Sequence, residues 1–187
     1  GGGLGGNPET DGLNHANNPI STATIPPVEI LEAAYPVMFT QWALRPDSAG
    51  PGVHRGGVGA IYEIEPLVEA DVALLGERGK APPFGVAGGG AAAMNEFHWQ
   101  TEDGEASPPM VSKITDLRLP AGRRLRLETP GGGGWGDPMA RKPEAVARDV
   151  RLGFVSRAKA QADYGVALDS AGQVDAAATV ALREARA

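Results

Sequence analysis

Glycine comes in runs along this chain, and no other feature limits its fold as much. GGGLGG opens it, RPDSAGPGVHRGGVG occupies residues 45–59, and GGGGWGDP occupies residues 131–138. In total 27 of 187 residues are glycine and 16 are proline. Neither residue supports a helix interior. Glycine does permit positive φ and close backbone approach, so such runs can line a pocket or wrap an adjacent surface. Val, Ile and Leu recur between the runs in strand-like groups, which points to a loop-rich folded domain and away from disorder.

The order of the elements follows from the same reading. Residues 1–27 form an irregular Gly/Asn/Pro lead, closed by Pro26-Pro27, which disfavours helix at Ile25. A stretch of this length without structure normally lies against another surface or builds a site. In isolation it is expected to exchange its amides quickly. Val37–Leu44 reads as a buried strand, and Ala60–Glu65 alternates between apolar and polar residues. Asp71–Leu75 and a short Phe84–Ala87 follow, with Phe97–Gln100 as an edge strand. Val111–Leu119 and Arg123–Glu128 are two further strands, joined by a tight turn at Pro120-Ala121-Gly122.

Beyond residue 138 the pattern becomes helical. Pro143 and Glu144 suit a helix start, and Gly153 suits its stop. Ser156 caps a second helix ending at Tyr164-Gly165, and Asp175 caps a third over Ala176–Arg186. The fold class is therefore α+β and mainly β: a lead (1–27), a loop-dominated β-rich body (28–138) and a small helical tail (139–187).

Charge and composition remove several functions. The formal net charge of −6 repels nucleic acid and anionic lipid. Arg124 and Arg126 share one strand face, opposite Leu125 and Leu127, and read as a solvated face. Without cysteine there is no disulfide, thiolate nucleophile or cysteine metal site, which fits a reducing, cytoplasmic setting. No apolar run approaches the roughly 18 residues of a spanning helix. A chain beginning Gly1-Gly2-Gly3 reads as a processed product or as part of something longer.

The chemical motifs are weak when taken singly. G-x-G-x-x-G occurs at Gly1–Gly6 and Gly131–Gly136, but neither links a strand directly to a helix, as a dinucleotide site requires. Gly76–Lys80 has the wrong spacing for a phosphate loop. His15, His54 and His98 are scattered, so a metal site made wholly from this chain is not expected. Ser48 and His54 share a loop without a nucleophile elbow, and Ser48 reads as a turn residue. Glu63 and Glu65 lie on one strand face, while Glu102, Asp103 and Glu105 read as solvated loop charge. Arg45 and Arg55 flank a glycine loop and are the candidate substrate-binding residues, able to grip a carboxylate in bidentate fashion. The competing reading pairs Arg45 with Asp47 to brace the turn.

Three ordered blocks exceed what turn chemistry needs. They are Pro27–Glu32 running to Tyr35-Pro36, Leu44–Gly50 continuing to Arg55–Gly59, and Thr129–Pro138. With Arg148-Asp149-Val150, Gly153–Ser156 and Tyr164–Val166 in the tail, the chain resembles the carboxy-terminal part of the hydantoinase B/5-oxoprolinase family. That resemblance implies one part of an ATP-dependent cyclic-amide hydrolase, acting on a hydantoin or 5-oxoproline type of ring. It implies an A-type partner subunit that binds ATP and phosphorylates the amide oxygen, and an upstream B-type segment carrying His and Asp metal ligands. ATP and a divalent metal thus belong to the complete enzyme, and no cofactor is expected on this chain. Ketone carboxylation is the alternative chemistry within the same resemblance, and a non-catalytic assembly role is the alternative outside it.

Overall fold

The computed structural model describes residues 1–21 and 23–186; Thr22 in the lead and Ala187 at the end of the tail lie outside the described residues. In chain order the elements begin with helix α1 (Val28–Ala34) and strands β1 (Val37–Leu44), β2 (Ala60–Pro66) and β3 (Ala70–Leu75). Strands β4 (Glu96–Gln100), β5 (Glu105–Ala106), β6 (Lys113–Leu119) and β7 (Leu125–Glu128) follow. Helices α2 (Pro143–Arg151), α3 (Arg157–Tyr164) and α4 (Ala176–Glu184) complete the chain. Among the described residues no helix is long and apolar enough to cross a membrane.

Five strands make one antiparallel sheet in the order β1-β2-β7-β4-β5, and β3 pairs with β6 as a separate ribbon. Alternation in β2 sets the register. Tyr62 and Ile64 face Leu127 and Leu125 of β7, and Phe97 and Trp99 of β4 continue the same rows. The ribbon adds Leu74 and Leu119, closing a core of Leu74, Phe97, Trp99, Leu119 and Leu125. Each side chain of this size contributes about 1.5–3 kcal/mol when fully buried. The opposite sheet face carries charge. Glu63 sits across from Arg126, and Arg124 and Arg126 reach Glu63, Glu65 and Glu128 at 2.8–3.5 Å. The solvated arginine face is thus a cross-strand charge ladder, in which the two carboxylates and two arginines picked out separately are neighbours.

Some expectations change. Phe97–Gln100 is an interior strand, because the short β5 covers its outer edge. Among the described residues Phe84–Ala87 makes a single bridge, Val86 to Trp135. The turn at Pro120–Gly122 does not join paired strands; it carries the chain from the ribbon into the sheet. Phe97 and Trp99 lie in the core.

The glycine runs form a layer of their own. Gly131–Gly134 is an extended segment, buried at every residue except its flanks and without a positive φ. The Gly50 amide donates to the Gly132 carbonyl (2.8 Å), and the Gly132 amide donates to Gly57 (2.9 Å). The Gly6 amide donates to Gly133 (2.9 Å), the Gly134 amide to Gly90 (3.0 Å), and the Val86 amide to Gly134 (2.9 Å). A Cβ on Gly131, Gly132, Gly133 or Gly134 would fall on the carbonyl oxygen of Ser48, Leu4, Phe84 or Pro51 respectively. Four successive residues therefore face three different segments: the lead at Leu4, the loop at Ser48–Pro51 and the stretch at Phe84. Close approach from several sides, not turn-making, is what requires glycine here.

This layer also places the lead. Gly3 donates to Pro130, Gly12 to Arg55 and His15 to Val58, while Gly57 donates back to Leu4, all at 2.8–2.9 Å. Residues 1–16 thus find their partners inside the chain, which corrects the expectation that the whole lead must lie on something else.

The tail matches its caps. Pro143 opens α2, Gly153 (φ +75°) and Gly165 (φ +61°) follow the ends of α2 and α3, and Ser156 Oγ accepts from the Lys159 amide. Asp175 caps α4, which ends at Glu184, two residues before the expected Arg186. Val146, Val155, Ala160, Tyr164 and Val166 form the tail's own core. Asp47 ties it to the body: its amide donates to the Phe154 carbonyl and its carboxylate accepts from the Ser156 amide (2.7 Å).

Candidate functional site

Arg55 lies at the junction of lead, body and tail, with only 5% of its surface exposed. Its Nε donates to Asp149 (3.1 Å), Nη1 donates to the Gly56 carbonyl (2.8 Å) and to Asn14 (3.2 Å), and Phe154 stacks on the guanidinium at 4.7 Å. Arg141 bridges the other oxygen of Asp149 (2.7 Å) to both oxygens of Asp11 (2.7 and 2.8 Å). The result is an alternating chain Asp11–Arg141–Asp149–Arg55 that joins all three parts of the molecule. Burial alone would raise the Asp11 carboxyl and lower the Arg141 guanidinium. Their mutual hydrogen bonds and charges win, holding Asp11 below its ordinary value of 3.8 and Arg141 above its own.

Arg45 stands apart from this chain. It reaches Glu128 (2.9 Å), Glu96 (2.8 Å) and the Met94 carbonyl (2.6 Å) at the margin of the sheet. It does not brace Asp47, which is engaged with the tail. The two candidate arginines are therefore not brought together, and both are committed to carboxylates of the chain itself. Ser48 is buried and structural: its hydroxyl donates to the Arg45 carbonyl and accepts from the Gly59 amide.

The histidines remain separate. His15 Nε2 meets the Tyr62 hydroxyl at 2.6 Å, within an edge-packed group that includes Trp42. Burial lowers the His15 pKa and pushes Tyr62 up to about 12, so both are neutral at pH 7. His54 lies 3.8 Å from Asp11, and His98 contacts Ser107. Among the described residues no three His, Asp or Glu side chains converge on a point that could hold a metal ion. They provide no fit for the divalent ion implied for the complete enzyme.

Beside Tyr62, where the apolar sheet face runs past the ribbon, there is a cavity of about 320 Å³. Tyr62, Phe97 and Leu127 supply its sheet side, and Gly76 and Arg78 the end of the ribbon. Asn95 also lines it. Its amide N–H donates to the Arg78 carbonyl (3.0 Å), its surface is 4% exposed, and its side chain enters none of the hydrogen bonds among the described residues. A Cβ on Gly76 would fall on Asn95 Nδ2, so the missing side chain makes the room that Asn95 fills.

Residues 1–138 match the family described as hydantoinase B/oxoprolinase. The chain belongs to this family. It is 39% identical over 163 residues to the beta subunit of the Pseudomonas jessenii caprolactamase, covering 84% of this chain and 28% of that protein. To the B-type subunit of the putative D-/L-hydantoinase of Pseudomonas sp. (strain NS671) it is 28% identical over 183 residues, covering 98% and 31%. The crystal structure of the ATP-dependent caprolactamase from Pseudomonas jessenii matches with a TM-score of 0.81 at 34% identity, over 98% of this chain and 32% of that one. Nucleotide-free acetone carboxylase shares the fold, with a TM-score of 0.80 at 24% identity over 95% and 28% of the two chains. The chain spans less than a third of the length of each of these relatives.

The second and third blocks that carry the family resemblance, with the tail motif around Asp149 and Phe154, are joints of this structure, whereas the first contains helix α1, which has no buried residue. Ser48–Gly50, Gly56-Gly57 and Gly131–Gly136 meet in the glycine layer, while Asp149 and Phe154 hold Arg55. Asp11, Arg141 and Asn95 were not singled out from the sequence. Asp11 and Arg141 are 130 positions apart, and Asn95 belongs to no periodic pattern.

Proposed function

We propose that this chain is the carboxy-terminal part of the B-type subunit of an ATP-dependent cyclic-amide hydrolase, working with an A-type ATP-binding subunit. The observation that supports it most is the 39% identity to the caprolactamase beta subunit along 84% of the chain. In this reading ATP is bound by the A-type subunit and the divalent metal by the upstream B-type segment, with neither on this chain. The chain's own contribution is a rigid wall: the glycine layer and the ionic chain hold lead, sheet and tail in one arrangement. Arg45 and Arg55 then act by positioning these parts, and their effect on substrate is indirect.

The test is to assemble the complete B-type subunit containing this segment with its A-type partner. ATP hydrolysis and the ring-opened amino acid are then measured with lactam, hydantoin and 5-oxoproline substrates. Turnover of a cyclic amide without bicarbonate supports the reading. ATP use that requires bicarbonate and a ketone would replace it with the carboxylase chemistry of the kind named for acetone carboxylase. Unchanged turnover in an assembly lacking this segment would leave it a non-catalytic module.

A further inference from the structure

We infer that the small cavity where helix α2 meets the ionic chain Asp11–Arg141–Asp149–Arg55 binds one inorganic oxyanion of the phosphate type. This goes beyond the hydrolase reading and does not depend on it. The cavity has a volume of about 130 Å³ and lies between the lead, the glycine loop and the tail. Asp11, Arg55, Arg141, Arg148, Asp149 and Phe154 line it. That volume is far below the roughly 300–1,000 Å³ of organic-ligand pockets, so it admits an ion and excludes a nucleotide or a peptide.

The charges and donors around this space select an anion. Three guanidiniums and two carboxylates surround it, an excess of one positive charge. The carboxylates are already saturated. Asp11 Oδ1 accepts from the Arg55 backbone amide and from Arg141 Nη1, and its Oδ2 accepts from Arg141 Nη2. Asp149 accepts from Arg55 Nε and from Arg141 Nη2, one on each oxygen. Donors are left over. Arg141 is 5% exposed, and its Nε is buried without a partner. A buried N–H of this kind marks a missing acceptor. Arg55 bonds through Nε and Nη1, while its Nη2 enters none of the hydrogen bonds among the described residues. Arg148, exposed at the rim, has neither a hydrogen-bonded nor an ionic side-chain partner among them. Water could satisfy an N–H but leaves the excess charge unanswered. A tetrahedral oxyanion answers both, because its several oxygens match the planar donors of more than one guanidinium. Helical spacing builds the site: Ala145, Arg148 and Asp149 share one face of α2, so the turn that hands Asp149 to Arg55 and Arg141 also sets Arg148 at the mouth.

The experiment is thermal unfolding of the 187-residue chain at pH 7 and fixed ionic strength, with chloride replaced stepwise by inorganic phosphate. The expected result is a melting temperature that rises at low phosphate as a bound ion requires, with the same behaviour in sulfate. Exclusion of these anions from the surface, which stabilises any fold, does not depend on one arginine. Arg148→Ala removes only the unpaired guanidinium at the rim. It should leave the melting temperature in chloride unchanged and lower the apparent phosphate affinity at least tenfold, and Arg148→Lys should keep part of that affinity. Arg118→Ala, on the exposed ribbon and outside the cavity, should leave the phosphate dependence as it is. Where the isolated chain does not melt cooperatively, calorimetric titration of phosphate into the assembled B-type subunit, wild type against Arg148→Ala, gives the same decision. No specific phosphate effect, an equal effect in Arg148→Ala, or tighter binding of bicarbonate than of phosphate would overturn the proposal. Equal binding of glycerol 3-phosphate would also overturn it, since the ligand would then be a phosphate ester and not the free ion.

Discussion

At Gly132 and Gly133 an added methyl group meets a backbone carbonyl that cannot move without displacing another segment of the layer. Gly132→Ala or Gly133→Ala should therefore cost more than about 4 kcal/mol, enough to prevent folding. Gly122 (φ +77°), with nothing within 4 Å, should accept Asn at a cost below about 1 kcal/mol. Urea unfolding of the variants separates the two kinds of glycine. Asp149 presents a second case. Asp149→Leu strands Arg55 and Arg141, both 5% exposed, beside an apolar side chain, and should cost about 3–5 kcal/mol in the same measurement. Asp11 adds a pH dependence of known sign. Its carboxyl is lowered on folding, so its contribution is complete above the unfolded value near 3.8 and is lost as pH falls through the folded value. The melting temperature should drop below about pH 4, and Asp11→Asn should remove that part of the drop. Arg55 was visible in the sequence as a charge within a glycine loop. Its partner Asp149 lies 94 positions away, and no local pattern connects them.

Helix ends in the tail were legible because capping is local chemistry. Ser156, Asp175, Gly153 and Gly165 each act within a few residues of their own position. Ser156→Ala should cost about 1 kcal/mol, read by thermal unfolding. The place of a strand in a sheet is not local, which is why β4 read as an edge strand: its cover is the two-residue β5, too short to leave a periodic signal. Helix α1 shows the opposite imbalance. It has seven residues, no side-chain cap and no buried residue, and the Phe39 amide donating to Glu32 Oε1 at 2.7 Å ties it to β1. Hydrogen exchange in α1 should be much faster than in β7, a strand paired on both sides.

Over the whole molecule, the succession of strands up to Glu128 and helices from Pro143 onward could be read from the sequence, because alternation and helix periodicity occupy different parts of the chain. How these stretches engage could not. The amides of Gly3, Gly6, Gly12 and His15 donate to residues 55, 58, 130 and 133, so they should exchange slowly, in contrast to residues 23–27 of the same lead. Exchange monitored by mass spectrometry would show that boundary. Equal, fast exchange throughout residues 1–16 would mean that the layer does not hold the lead in solution.

A backbone-only layer also has a kinetic consequence. Its members come from residues 3–6, 50–57, 85–90 and 131–134, so the bonds that join these segments cannot form while the chain is only locally ordered. Loop closure must precede any reward, which slows the search. The sheet and the tail can each gather around their own apolar clusters early, whereas the polyglycine bundle has no side chains with which to collapse. It therefore locks last, and the rate at which it locks limits how soon a newly made chain becomes resistant to proteolysis.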